Sequence, residues 1–427
     1  MASTYLSRTT VTPTNGQKGT FSTWVRVDKV GAQKIMINYL DSTNYSYIRF
    51  HPSKFLQCYA TLSDSVVNNY KTERFFLDFN GWYHIVVRID TTQATATDRL
   101  RLYVNGELQT AYDTQTYSGS QNAQHPILIA SATNSHRIGA DEGPADYFNG
   151  LMSHFHFCDG YSYDASAFGE TDATTGEWKI NTSPSVTYGT NGFFILKDGN
   201  SVTDSSTNSN NFTVGGGTLT KTESSPSNVF ATLNSLHQVD DWSLANGNTV
   251  FTNNSSGHRM TNSTLAGYSG KYYAEVKVTT LGSTYPQIGV INPDVFTYNT
   301  HIGASGKGYG YLSNGNKQYN NSSTSFGNTY TTGDIIGIAM DLDNHKLYFS
   351  KNGTWENSGV PTSGSTGTGS AYDLATGTFY SFGQSSYDNG TDPVYSWNFG
   401  NGYFGTTAVS SAGTNASGIG IFEYDVP

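Results

Sequence analysis

No stretch of this chain longer than about ten residues places its apolar side chains at spacings of three and four. Helices should therefore be few and short, and the core has to be built from strands. Period-two segments recur along the whole chain. Thr20–Val27 alternates, with Phe21, Trp24 or Val25, and Val27 available to a core face. Asn44–Phe50 is rich in Tyr and Ile, and Trp82–Ile89 is the clearest strand. Leu100–Val104 alternates cleanly and runs into Asn105-Gly106, a pair suited to a type I′ hairpin because both central residues need positive φ. Met152–Cys158 follows. In the second half, Lys271–Val278, Pro286–Ile291 and Lys346–Ser350 read as strands. Asp334–Asp341 is nearly all apolar, as a strand buried on both faces would be. The alternation is expected to bury Trp82 and Phe349.

Short strands at even spacing, separated by turn residues, predict an all-β chain of two tandem antiparallel β-sandwiches. Ser224-Ser225-Pro226-Ser227 breaks the pattern, so the domain boundary is placed between Thr222 and Asn228. Residues 1–225 form the first domain, with 186–225 as its closing segment, and 226–427 the second. The Gly/Ser/Thr-rich loop Gly359–Ser370 is expected to be mobile.

Composition narrows the function. Charged residues are 13%, about half the usual share. Aromatic residues at 14% are too many for a disordered chain. Tyr, Gly, Asn and Ser suit strands, turns and adaptable recognition surfaces. The net charge is -10 and no Lys/Arg cluster occurs, which argues against a nucleic-acid partner. No apolar run of about 18 residues is present, so no membrane-inserted helix is expected. The N-terminus lacks a basic segment followed by an apolar one, so no secretory signal is visible. Cys58 and Cys158 could form one disulfide, but two buried free thiols fit so low a cysteine count better.

Catalytic chemistry is sparse. Acids cluster at Asp141, Glu142 and Asp146 and at Asp240 and Asp241. Glycoside hydrolysis needs two carboxylates facing each other about 5 to 9.5 Å apart, and no catalytic strand presents such a pair, so these read as solvated loop acids. His154 and His156 alternate on one strand with Cys158 alone as a further ligand type on that face, which favours core or surface histidines over a metal. Gly303–Gly308 imitates a phosphate loop but opens no helix and lacks Lys-Ser/Thr. No nucleophile elbow with a triad is visible. The expectation is a binding protein, not an enzyme.

Several motifs carry resemblances. Phe21-Ser22-Thr23-Trp24-Val25, Gly81-Trp82-Tyr83-His84, Leu102-Tyr103-Val104-Asn105-Gly106, Arg137-Ile138-Gly139 and Phe148-Asn149-Gly150 together resemble the laminin-G and concanavalin A-like jelly roll. Asn191–Leu196 and the loop Asp204–Asn211 are similar to that family's opening strand and D-S-S-G-N-G-N-D loop, here placed last and with Thr207 and Ser209 where the family has Gly. The resemblance implies a calcium site, with Asp141, Glu142 and Asp146 as candidate ligands. Gly270–Glu275, Gly308-Tyr309-Gly310-Tyr311, Gly333–Asp341, Leu347–Gly353 and Asn398-Phe399-Gly400 resemble a SPRY (B30.2-like) sandwich. For such a sandwich the candidate ligand-binding residues are Tyr298, Tyr309, Tyr311, Tyr319 and Trp355.

His156–Gly160, Phe168–Asp172, Thr175–Lys179 and Asn228–Asn234 resemble linking motifs of structural proteins from tailed bacteriophages, notably marine ones. That resemblance implies a virion-surface protein on tail or capsid. The leading expectation is a tail fibre or fibre-like receptor-binding protein that attaches to a host cell-surface glycan without cleaving it. Its other partners would be virion proteins, and it would be a homo-oligomer such as a trimer. A capsid decoration protein and a polysaccharide depolymerase are the alternatives. The last residues, Phe422–Pro427, resemble a point at which such proteins continue.

Overall fold

A computed structural model describes residues 3–28, 31–78, 81–129, 135–143, 145–174, 176–197, 201–222, 224–227, 229–237, 242–282, 284–304, 306–388, 390–412, 418 and 420–427. Among these the chain forms strands and short 3-10 turns and no α-helix. It divides into two compact units, residues 1–221 with 225–227 and residues 222–224 with 228–427. Among the described residues each unit holds two large antiparallel sheets enclosing its main apolar core, and one further two-stranded sheet.

In the first unit an eight-stranded sheet runs Tyr112–Tyr117, Ser65–Phe75, Phe55–Leu62, Asn44–Phe50, Gln33–Asp41, Ser135–Ile138, Tyr5–Thr9, Thr213–Gly215 in spatial order. The facing six-stranded sheet runs Phe193–Ile195, Gly150–Asp159, Lys18–Val27, Tyr83–Asp90, Leu100–Val104, Glu107–Leu108. Between them lie Phe21, Val25, Val27, Ile48, Phe50, Leu56, Cys58, Ile85, Val87 and Leu102.

Lys18–Val27 is buried on both faces. Phe21, Val25 and Val27 enter the core, while Trp24 turns outward and stacks on His84 with ring centroids 4.8 Å apart. The outer side of this sheet is covered by the segment after Asp159. Tyr161, Phe168, Trp178 and Tyr188 pack there around Val86, Tyr103 and Cys158. Asn105 and Gly106 both have positive φ, +50° and +80°, as the hairpin requires. A Cβ at Gly106 would lie 2.4 Å from the Trp178 ring, so packing as well as turn geometry demands glycine there. Both cysteines are buried free thiols, one in each of two clusters, which excludes the single disulfide.

The closing segment supplies an edge strand to each sheet. Phe193–Ile195 pairs with Phe155–Phe157, and Thr213–Gly215 with Tyr5–Ser7. In the intervening loop the Asp204 carboxylate accepts from the backbone N–H groups of Phe194, Ser206 and Asn210. Ser209 takes φ +58°, so this loop reaches the left-handed region without glycine.

Trp82 departs from expectation. The core parity of its strand is Tyr83, Ile85, Val87 and Ile89, one residue out of step with Trp82. Trp82 precedes the strand, is only partly buried, and has the Arg26 guanidinium 6.0 Å from its ring centroid.

In the second unit the larger sheet runs Trp242–Ala245, Val250–Asn253, Val394–Asn398, Lys271–Thr280, Ile335–Asp341, Lys346–Lys351, Thr354–Trp355, with Tyr372–Asp373 also paired to Lys346–Lys351. The other sheet runs His258–Gly267, Tyr380–Tyr387, Thr284–Ile291, Gly308–Leu312, Asn316–Tyr319, Ser322–Ser325. Ile335–Asp341 is buried along its whole length, and Phe349 lies in the core with Ile336, Ile338, Val276 and Trp397. The loop at 359–370 is closed on itself by hydrogen bonds: Val360 N to Thr368 O, Thr368 N to Ser363 Oγ, and Ser370 N to Gly367 O.

Candidate functional site

The most developed surface arrangement is on the outer face of the eight-stranded sheet of the first unit. Alternation builds it. In Asn44–Phe50 the residues Ser46, Ile48 and Phe50 turn inward, which turns Tyr45, Tyr47 and Arg49 outward. The register sets Tyr47 opposite Ile37 on one side and Tyr59 on the other, with Asn69 beyond Tyr59. Tyr45 lies opposite Tyr39. A register shift between Lys34 and Met36 sends both Ile35 and Met36 into the core and leaves Lys34 on the outer face.

Four tyrosines therefore form a continuous aromatic patch, all partly exposed. Ring centroids are 5.2 Å apart for Tyr47–Tyr59, 5.9 Å for Tyr45–Tyr59, 6.3 Å for Tyr45–Tyr47 and 6.5 Å for Tyr39–Tyr45. These are offset, near-parallel arrangements of the kind aromatic pairs favour. Burial is the main reason the Tyr47 hydroxyl is pushed up to about 12, so it stays protonated at neutral pH.

A polar row lies one pleat away. Arg49, Gln57 and Lys71 are register neighbours on three adjacent strands. Arg49 Nε donates to Gln57 Oε1 at 2.9 Å, and Gln57 Nε2 donates to Asn69 Oδ1 at 2.9 Å. Lys34 and Arg49 both approach Tyr47, at 3.8 and 4.8 Å from the ring centroid. Burial lowers the Lys34 ammonium, an effect opposed by Asp141, whose carboxylate lies 2.9 Å away.

Asp141 thus belongs to the rim of this patch. The loop that carries it folds over Lys34, because Asp146 O accepts from Lys34 N and Gly139 O from Phe148 N. Asp141, Glu142 and Asp146 are not gathered into one metal cage: among the described residues no group of three His, Cys, Asp or Glu side chains could hold an ion. Asp240 and Asp241 lie outside the described residues. His154 and His156 both pack against Phe194, and His156 Nδ1 bonds the Tyr188 hydroxyl.

The five candidates in the second unit fall in three places. Tyr309 and Tyr311 occupy alternate positions of one strand and both face the core. Tyr311 is fully buried, its hydroxyl donating to Asn328 O and lying 3.2 Å from Glu356 Oε1. Tyr309 stacks on Tyr319 at 4.4 Å, and Tyr319 carries that stack to the surface, 38% exposed. Tyr298 is 42% exposed and takes no part in this stack; its carbonyl accepts from Met260 N. Trp355 sits edge-on to Tyr348 and Tyr273.

The tyrosine patch itself was not singled out from sequence. Its signal was there in the Tyr-x-Tyr-x-Arg alternation of Asn44–Phe50, but the contributions of Tyr39 and Tyr59 become visible only once strands are paired.

Residues 2–162 match the family model described as the concanavalin A-like lectin/glucanases superfamily, and residues 271–386 match the SPRY domain model. No curated protein matches the chain. Among solved structures, the SPRY domain of human HERC1 is similar at 16% identity, covering 39% of this chain and 93% of that one with a TM-score of 0.31. A second human SPRY domain is similar at 14% identity, covering 36% and 92% with a TM-score of 0.28.

Proposed function

From a concanavalin A-like domain and a SPRY domain in tandem, we propose that this chain is a virion adhesion protein, a tail fibre or fibre-like receptor-binding protein, that holds a host-surface glycan without cleaving it. The tyrosine patch carries this reading. Sugar rings present C–H faces that lie on aromatic faces, while amide and guanidinium groups bind hydroxyls; Tyr45, Tyr59, Asn69, Gln57 and Arg49 supply both on one rigid sheet. Asp141, an acid at the rim, is held against Lys34. The linking motifs near 156–179 and 228–234 support the virion assignment. A single such site would bind weakly, and several copies per particle would add avidity of roughly 10²- to 10⁴-fold.

Labelling intact particles that contain this chain with an antibody against it tests the assignment. Label is expected at the tail tip. Label confined to the head shell would overturn the fibre reading in favour of capsid decoration.

A further inference from the structure

The tyrosine face has a charge pattern at odds with the whole molecule. The chain carries a net charge of -10, which by itself repels anions. Lys34 is the cation closest to the rings, but it is already paired with Asp141 at 2.9 Å. Arg49 is different. Its Nε is fixed by Gln57 Oε1, which Asn69 in turn holds by accepting from Gln57 Nε2. Neither Nη group of Arg49 makes a hydrogen bond or ion pair among the described residues, though the guanidinium lies 4.8 Å from the Tyr47 ring centroid. The guanidinium plane is therefore oriented by the sheet while the fork that suits a carboxylate stays available.

Lys71 stands two strands away in the same row, set against the Phe55 ring at 5.7 Å and in no ion pair among the described residues. His51 also lies close to both cations, and its imidazole is lowered by burial, then by the charges of Arg49 and Lys71. A local concentration of positive charge thus stands beside the aromatic row. Strand rise separates the two rows by about 7 Å. A pyranose lying on the rings would hold a ring-borne carboxylate toward the cation row.

Resting on the glycan-binding reading above, we propose that this face takes an acidic polysaccharide built from uronic acids. Its pyranose rings lie on Tyr45 and Tyr59, and its carboxylates meet Arg49 and Lys71. Specificity comes from the preoriented Arg49 fork, not from any overall attraction, since the molecule as a whole is acidic.

The test is binding of the full chain to immobilised polygalacturonate, alginate and hyaluronate, each compared with its carboxyl-reduced counterpart at fixed ionic strength. At least one uronate polymer is expected to bind 10-fold or more tightly than its reduced form. Arg49→Gln with Lys71→Gln should remove that difference, so that each charged polymer binds no more tightly than its own reduced form. Comparing each polymer with its own reduced form needs no variant, so the result stands even if the double variant folds poorly. Equal, Tyr59-dependent binding of charged and reduced polymers would overturn the acidic assignment and leave glycan binding in place. Retention of none of the six polymers would overturn both. A preference that survives Arg49→Gln and Lys71→Gln in the folded variant would move the anion site elsewhere and overturn the proposal.

Discussion

Acidification from pH 7 to 5 is expected to remove on the order of 6 kcal/mol of stability from the first sandwich through three of its histidines, with a fourth acting in the same direction, a loss comparable to the whole stability of a marginal domain. The cause is four fully buried histidines. His84, His125 and His136 are each lowered to about 3 by burial, and His156 is lowered well below the ordinary 6.5 by burial and by the nearby His154 and His84. Their partners fit the neutral ring. Trp178 Nε1 donates to His84 Nδ1 at 3.0 Å, so His84 Nε2 carries the proton toward Ser22 Oγ at 2.8 Å. His125 accepts from Ile127 N through Nδ1 and lies 2.9 Å from Asn68 Oδ1 through Nε2.

The sign follows directly. A histidine with a depressed folded pKa leaves stability intact above the unfolded pKa of 6.5, and the loss grows as pH falls from 6.5 toward the folded value. At pH 5 His84, His125 and His136 each contribute about 2 kcal/mol of destabilisation, and His156 adds to it in the same direction. In the second unit His258 and His301 are lowered too, but both are only half-buried. Hydrogen exchange followed peptide by peptide from pH 7 to 5 is the measurement. Protection should collapse across 83–90 and 150–159 first. Unchanged protection there at pH 5 would mean these rings are not held neutral.

Replacing Glu275 by Ala is expected to cost about 3–5 kcal/mol and to release the residues after 420. Glu275 is fully buried in the strand Lys271–Thr280. Its carboxylate accepts from Glu423 N at 2.8 Å, Tyr424 N at 2.9 Å, Tyr273 Oη at 3.0 Å and Asn398 Nδ2 at 3.2 Å. Burial raises its pKa, with the four donors pulling the other way. Truncation would leave four donors without an acceptor and free Phe422 from its edge-on contact with Tyr273, 5.1 Å away. Limited proteolysis should then cut within 420–427 before the rest of the second unit, and chemical denaturation should show the lost stability. Glu275→Gln, which keeps the volume and one acceptor oxygen, should fall between. Wild-type resistance in Glu275→Ala would show that the segment is held by packing alone.

The strands legible in the sequence were those with one strongly apolar face, such as Tyr83–Asp90, Leu100–Val104 and Ile335–Asp341. Those that escaped include Gln33–Asp41, Phe55–Leu62, Ser65–Phe75 and Tyr380–Tyr387. Their outward or second faces carry Tyr, Gln, Asn, Thr and Ser, so polarity does not alternate sharply, and the register shift at Lys34/Met36 breaks the period where it would otherwise show. Alternation alone puts Trp82 one residue out of register because an indole next to a strand looks apolar whichever way it faces. The candidate site was less legible than the fold for a related reason. Tyr309 and Tyr311 stood out as a motif because they are core residues between glycines, whereas Tyr39, Tyr45, Tyr47 and Tyr59 come from three strands and converge only through pairing. The resemblance alone makes Asp141 a metal ligand; its position against Lys34 depends on how the loop after Ile138 folds back, which no local pattern encodes.

The most direct measurement of the central claim is retention of host-surface polysaccharide by the full chain and by a Tyr45→Ala, Tyr59→Ala variant, followed by sizing of the recovered polymer. Both tyrosines are partly exposed on a sheet whose core residues are untouched, so the variant should remain folded. The expected result is retention by the wild-type chain, at least 10-fold weaker retention by the variant, and polymer of unchanged length. Equal retention by both proteins would contradict the tyrosine patch as the binding face, and shortened polymer would contradict binding without cleavage.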